Sequence, residues 1–100
     1  MAQRIILYWR DIPAQVIVKA GRVSEKRELP ERFIQAIDAS AMRVGAKDSD
    51  AYLAGWRRGS PETVGDDLAA EADSALAQLL ESYPLARLKQ LIAGGGVAAA

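Results

Sequence analysis

IILYWRDIPAQVIV, residues 5–18, is the stretch whose reading decides the fold of this chain. Two apolar runs, rich in β-branched and aromatic residues and each long enough for one strand, flank the short polar insert Arg10–Asp11–Ile12–Pro13. That pattern is a hairpin signal. The first strand is expected over about residues 4–10 and the second over about residues 15–19. Pro13 has no N–H to give a ladder and belongs in the connection. Successive side chains alternate across a sheet. The simplest register therefore groups Ile5, Leu7, Trp9, Val16 and Val18 on one face. Ile6, Tyr8 and Ile17 fall on the other, ringed by Arg4, Arg10, Gln15 and Lys19.

Outward from the hairpin, residues 20–28 (AGRVSEKRE) read as a polar loop. Pro30 suits the first turn of a helix, and Leu29 before it is pushed out of helical geometry. Phe33, Ile34, Ile37, Ala41 and Val44 recur at helical spacing and predict one buried stripe, with Gly45 placed to end the helix. Residues 48–58 (DSDAYLAGWRR) suit a short helix capped by Asp48 or Ser49, or a third strand presenting Tyr52, Ala54 and Trp56 together. The helix is the preferred reading, although a third strand would support a hairpin that is marginal alone. Gly59–Ser60–Pro61 is a break. Thr63 and Asp66 have capping-box spacing ahead of a long helix to about residue 82, buried through Leu68, Ala72, Ala75, Leu76, Leu79 and Tyr83. Pro84 starts a last helix through Ile92, with Leu85, Leu88, Leu91 and Ile92 inward. The glycine-rich end, GGGVAAA, is expected to be a disordered tail over residues 94–100.

Composition removes many functions. The chain has 100 residues, one domain's worth, and its formal net charge is zero. It contains no cysteine and no histidine, so it lacks a thiol nucleophile and the commonest general base and metal ligand. No cofactor and no metal are expected. Charge is unevenly spread: residues 1–59 hold eleven Lys/Arg against seven Asp/Glu, and residues 60–100 hold two against six. No apolar run approaches the length of a membrane helix, and no signal-peptide pattern opens the sequence. The expectation is a cytoplasmic protein without membrane contact.

The residues singled out for binding are Ile6, Tyr8, Arg10, Asp11, Ile17 and Lys19. An apolar, aromatic centre with a cationic rim is how many partner-binding patches look. The structural alternative is that helices cover both faces while the basic side chains reach out to water. Arg10 and Asp11 either hold the turn by local hydrogen bonds or offer a planar fork to an anion. Asp66 and Asp67 sit where a helix N-terminus wants negative charge and read as caps. No pair of carboxylates is spaced for acid–base catalysis.

Three blocks carry a family resemblance: YWRDIPAQV at 8–16, RELPERFIQAIDASAM at 27–42 and DSDAYLAGWRR at 48–58. Together they resemble the bacterial "virulence factor" domain family, in a short standalone form, over roughly residues 2–90. The resemblance brings no catalytic residues to carry over. It implies a small accessory subunit or adaptor for a one-carbon enzyme that uses folate or a corrinoid.

The expected fold is α+β: an N-terminal hairpin, extended or not by a third strand, packed against three to four helices in a single domain over residues 1–93. The expected function is a non-enzymatic interaction domain whose partner is a larger enzyme, with homo-oligomer formation left open. Two alternatives stand beside it. One is a nucleic-acid-binding module, disfavoured by zero net charge. The other is a small anionic-ligand-binding protein or enzyme using Arg10 and Asp11.

Overall fold

Trp9 and Ile12 pair across a two-residue turn, closing a hairpin of β1 (Ala2–Trp9) and β2 (Ile12–Ala20) in the computed structural model, which describes residues 1–45 and 50–97. A second two-residue turn, with Gly21 at φ +59°, leads into β3 (Val23–Glu28), antiparallel to β2. After α1 (Glu31–Arg43) and α2 (Asp50–Ala54) the chain returns to the free edge of β1 twice. Strand β4 (Trp56–Arg58) pairs with Leu7–Trp9, and β5 (Glu62–Val64) pairs with Ala2–Arg4. Helices α3 (Leu68–Ser82) and α4 (Leu85–Ala93) follow. The result is the expected α+β architecture, with an antiparallel sheet of five strands in the order β3–β2–β1 and then β4 and β5 end to end.

One irregularity governs the hairpin. From Gln3↔Lys19 to Leu7↔Gln15 the ladder keeps one register, but the next pair is Tyr8↔Pro13. Ala14 is therefore an extra residue, a β-bulge. Without it, the turn pairing Trp9↔Ile12 would set Ile5 opposite Val16, as the simplest reading assumed. With it, Ile5 faces Ile17 and Ile6 faces Val16. A one-residue shift sends each side chain of one strand to the other face relative to its partner. The expected grouping of Ile6, Tyr8 and Ile17 is corrected accordingly: Ile6 and Tyr8 lie on one face and Ile17 on the other. Pro13 also differs from expectation, lying inside β2. It sits beside the bulge and beyond the last β2–β3 pair, Gln15↔Glu28, where no N–H is required of it.

The helices cover the face that carries Val16 and Val18. Both valines are fully buried in one cluster with Phe33, Ala36 and Ile37 of α1, Ala72, Ala75 and Leu79 of α3, and Leu88 and Leu91 of α4. Alanines on α1 and α3 let the helix backbones approach the sheet closely. Phe33 meets Tyr83 edge-on at 6.3 Å between ring centroids. The one buried polar side chain among the described residues, Ser40, gives its hydroxyl to the Ala36 carbonyl at 2.7 Å.

Several expectations shift. Residues 23–28, read as loop, are strand β3. Its side chains need little apolar character because it is an edge strand, and charge there discourages pairing with other chains. Arg27 pairs with Glu25 on the same strand and with Asp73 of α3, which ties that edge to the helix layer. In the segment at 48–58 the preferred helix is found at Asp50–Ala54 and a strand follows at Trp56–Arg58, so Tyr52 and Ala54 are helical and do not join Trp56 in a strand; Asp48 and Ser49, the expected caps, lie outside the described residues. Thr63 does not open the long helix. It belongs to β5, which an Arg4–Glu62 ion pair holds beside β1, and Asp67 caps α3 by accepting from the Ala70 N–H at 3.1 Å. On α1 the buried stripe is Phe33, Ala36, Ile37, Ser40 and Ala41; Ile34 and Val44 are exposed. On α4, Leu85 is likewise exposed. Residues 94–97, expected as open tail, make a hydrogen-bonded turn, and Gly95 and Gly96 are buried.

Phe33→Ala should lower the unfolding free energy by about 3–5 kcal/mol, while Ile34→Ala, one position away, should cost under about 1 kcal/mol. Urea unfolding of the two variants checks the stripe; equal losses would place Ile34 in the core.

Candidate functional site

Arg10 occupies the left-handed region at φ +52°, the only non-glycine residue to do so among those described. For an L-residue this costs about 1–2 kcal/mol, and the surroundings hold it there. Its backbone N–H donates to the Gly55 carbonyl at 2.7 Å. Its carbonyl accepts from Arg57 Nε at 2.9 Å. Its guanidinium donates to the Gly95 carbonyl at 3.0 Å and lies 5.0 Å from the Trp9 ring. The Asp11 N–H donates to the Gly96 carbonyl at 2.9 Å. The hairpin turn is therefore a joint where β1, the α2–β4 corner and the end of α4 meet.

Trp9 is the centre of that joint. It is fully buried, its indole N–H donates to the Tyr52 carbonyl at 2.8 Å, and its ring lies 5.9 Å from that of Tyr52. The glycines around it are there for clearance. A Cβ at Gly55 would stand 2.6 Å from Trp9 Nε1, and one at Gly96 would stand 2.6 Å from Trp9 Cζ3. Gly96 also has φ +94°, open to glycine alone.

The remaining candidate residues divide between two surfaces. Lys19 and Ile17 lie on the reverse of the sheet, away from the helix-covered valines. Paired residues share a face, so the ladders give that surface as rows. Lys26, Ile17 and Ile5 form one row; Glu28, Gln15, Leu7 and Arg58 form the next; Ser24, Lys19, Gln3 and Thr63 form the third. Ile5, Leu7 and Ile17 thus make an apolar strip. None of the three belongs to the core cluster or to the side chains packed against it. Ile5 is buried, whereas Leu7 and Ile17 are half-buried. Lys19, Lys26 and Arg58 surround the strip and are exposed.

Ile6 and Tyr8 lie on the helix side. Ile6 packs against the core. Tyr8 is half-buried with Arg57 stacked 4.5 Å over its ring. Burial, reinforced by the nearby Tyr83 hydroxyl, holds its phenol above the usual value of 10.0 against the opposing pull of Arg57 and Arg4. Asp11 reaches Arg57 at 3.5 Å.

Sequence reasoning thus found Ile17 and Lys19 but missed Ile5, Leu7, Lys26 and Arg58 beside them. The signal that could have found them is Pro13 itself: a proline inside an otherwise continuous strand pattern marks a bulge, and a bulge moves the register. No local signal would have seated Gly96 against a tryptophan some ninety residues earlier.

A family model described as Virulence factor matches residues 7–92, nearly the whole chain. No curated protein and no solved structure matches it. Among the described residues there is no group of three or more acidic side chains that could hold a metal ion. No helix among them is long and apolar enough to cross a membrane.

Two outcomes test the joint. Gly96→Val should destabilise by at least about 2 kcal/mol, from overpacking against Trp9 added to the strained backbone; a urea midpoint unchanged from wild type would mean the glycine turn does not close on Trp9. Tyr8 supplies the second. Because its folded pKa is raised, its share of stability is complete below the unfolded value of 10.0 and is lost as pH rises through the folded value. Stability of the wild type should fall in that alkaline range more steeply than that of Tyr8→Phe, as read from unfolding midpoints across it.

Proposed function

We propose, from the premise that this chain belongs to the virulence factor family, that it is a non-catalytic interaction domain. It acts in the cytoplasm as an accessory to a larger enzyme and docks through the reverse face of its sheet. The observation that carries this reading is the strip Ile5–Leu7–Ile17, apolar, separate from the core and flanked by Lys19, Lys26 and Arg58. An apolar centre with a charged rim matches the anatomy of protein interfaces. The rim is mainly cationic, so the complementary surface is apolar at its centre and edged with carboxylates. The adaptor role toward a one-carbon enzyme that the sequence resemblance implies makes such an enzyme the first partner to test.

The chemistry of the chain supports a docking role over catalysis. With neither cysteine nor histidine, it has no side chain that titrates near neutrality without a large shift. Among the described residues, the shifts at Tyr8 and Arg27 both stabilise the protonated form further.

Ile17→Glu places a carboxylate at the centre of the strip, and Leu7→Glu does so one row away. Each should abolish stoichiometric co-purification with an enzyme encoded in the same operon. Ile17→Glu should leave the urea midpoint close to wild type, since Ile17 lies outside the core. Association should also slow as salt is added, because the rim charges steer encounter. Recovery of the wild-type chain alone from its native cells, or capture that both variants leave intact, would remove the proposal.

A further inference from the structure

On the helix side of the sheet, at the outer edge of β1, an open groove of about 440 Å³ runs between the strands and the α3–α4 junction. Its polar lining is Tyr8, Asp11, Arg57, Ser60, Tyr83 and Arg87. These residues are far apart in sequence and come together because β4 returns to β1 while α4 packs on α1. The volume lies within the usual range for small-molecule sites.

Two guanidinium groups dominate the groove, and the same device fixes both. Arg57 stacks 4.5 Å over the Tyr8 ring, and Arg87 stacks 4.2 Å over the Tyr83 ring. Each is anchored once to a backbone carbonyl, Arg57 to Arg10 at 2.9 Å and Arg87 to Ser82 at 2.8 Å. Stacking occupies the flat face of a guanidinium and leaves its N–H edge for ligands. An arginine fork has five donors; the carbonyl anchors use one on each residue, and Arg57 gives a second to Asp11. The opposing carboxylate, Asp11, meets Arg57 at 3.5 Å, long for a charge-assisted bond. Ser60, Tyr8 and Tyr83 add three hydroxyls. Burial keeps the Tyr8 phenol protonated well past neutrality, so it stays a donor. In a chain of zero net charge, this is a pre-ordered concentration of donors with a local excess of positive charge.

We propose that this groove binds the phosphoryl group of a small phosphorylated molecule, gripped by Arg57 and Arg87. The acceptor count decides between anions. A carboxylate offers two oxygens in one plane, whereas a terminal phosphoryl group offers three in a tetrahedral array, which suits a groove lined by two arginine forks and several hydroxyls. The groove is larger than a bare phosphate requires, so the ligand carries an organic body that rests beside the tyrosine rings. A polynucleotide is a poorer fit, because the chain lacks the extended basic surface that backbone binding uses.

The test is titration of the full chain with glucose 6-phosphate and with inorganic phosphate, followed by nuclear magnetic resonance of the arginine Nε–H and tyrosine ring signals. Glucose, sodium chloride and malonate at matched ionic strength are the comparison arms. The expected result is saturable shifts confined to Arg57, Arg87, Tyr8 and Tyr83, stronger for the sugar phosphate than for phosphate. Arg87→Gln should weaken binding at least about ten-fold, the scale of one lost charge-assisted contact, with its unfolding midpoint unchanged. Arg57→Lys, which keeps the charge but not the fork, should weaken it as well. Ile17→Glu, on the opposite face, should leave it intact. Equal shifts with malonate or sodium chloride, binding that ignores Arg87→Gln, or response only to phosphatidylglycerol vesicles or a single-stranded oligonucleotide would each overturn the proposal.

Discussion

Ala14 is one residue more than the β1–β2 ladder can pair, and the surfaces of this protein follow from where that surplus is placed. The bulge shifts the register between the turn and the body of the hairpin. It allows Trp9 and Ile12 to close the turn while Val16 and Val18 stand beneath the helices. It also sends Ile5, Leu7 and Ile17 together to the reverse of the sheet. In the unshifted register, Ile5 and Leu7 would share a face with Val16, and the reverse strip would keep only Ile17 of its three members. Sheets with one buried face tolerate no slippage, so this register is held from both sides: by the valines in the core and by the Trp9 joint at the turn.

That joint is assembled from groups with little choice of partner. A left-handed arginine is unfavourable alone, and a buried indole N–H without an acceptor costs a few kcal/mol. Here each defect is answered by a backbone group from elsewhere in the chain: Tyr52, Gly55, Gly95 and Gly96. Glycine stands at two of the places where the backbone closes on the Trp9 ring, Gly55 and Gly96. Close packing and hydrogen bonding are thus satisfied by the same few residues.

What the sequence reveals and what it hides divides along physical lines. Local, periodic features are legible: the apolar runs of the hairpin, Pro30 and Gly45 bounding α1, the aspartates before α3, and Pro84 before α4. Features that depend on distant partners are not. Strand β3 hides because an edge strand with Val23 followed only by Ser, Glu, Lys and Arg has the composition of a loop and is recognised only by the neighbour it pairs with. Strands β4 and β5 hide because three residues carry no period of their own. Ile34 and Val44 match the helical spacing as well as Ala36 and Ser40 do; only the position of the sheet decides which stripe is covered. The same holds for the candidate site. Ile17 and Lys19 could be named, but their neighbours required a register that one uncounted residue changes.

Arg10 and Gly95, which meet at the turn, are 85 positions apart. Closing so long a loop is slow compared with forming a hairpin or a helix. During synthesis the β1–β2 hairpin is complete on emergence, yet the joint that locks its turn has to wait for almost the last residues of the domain. Until then Trp9 lacks the contact that Gly96 makes on its ring, although Tyr52 and Gly55 already pack against it. The nascent chain is therefore most exposed to wrong association late in its production, just before its final turn becomes available. Ribosome stalling or truncation shortly before Gly95 would prolong that interval far more than the same event a few residues downstream.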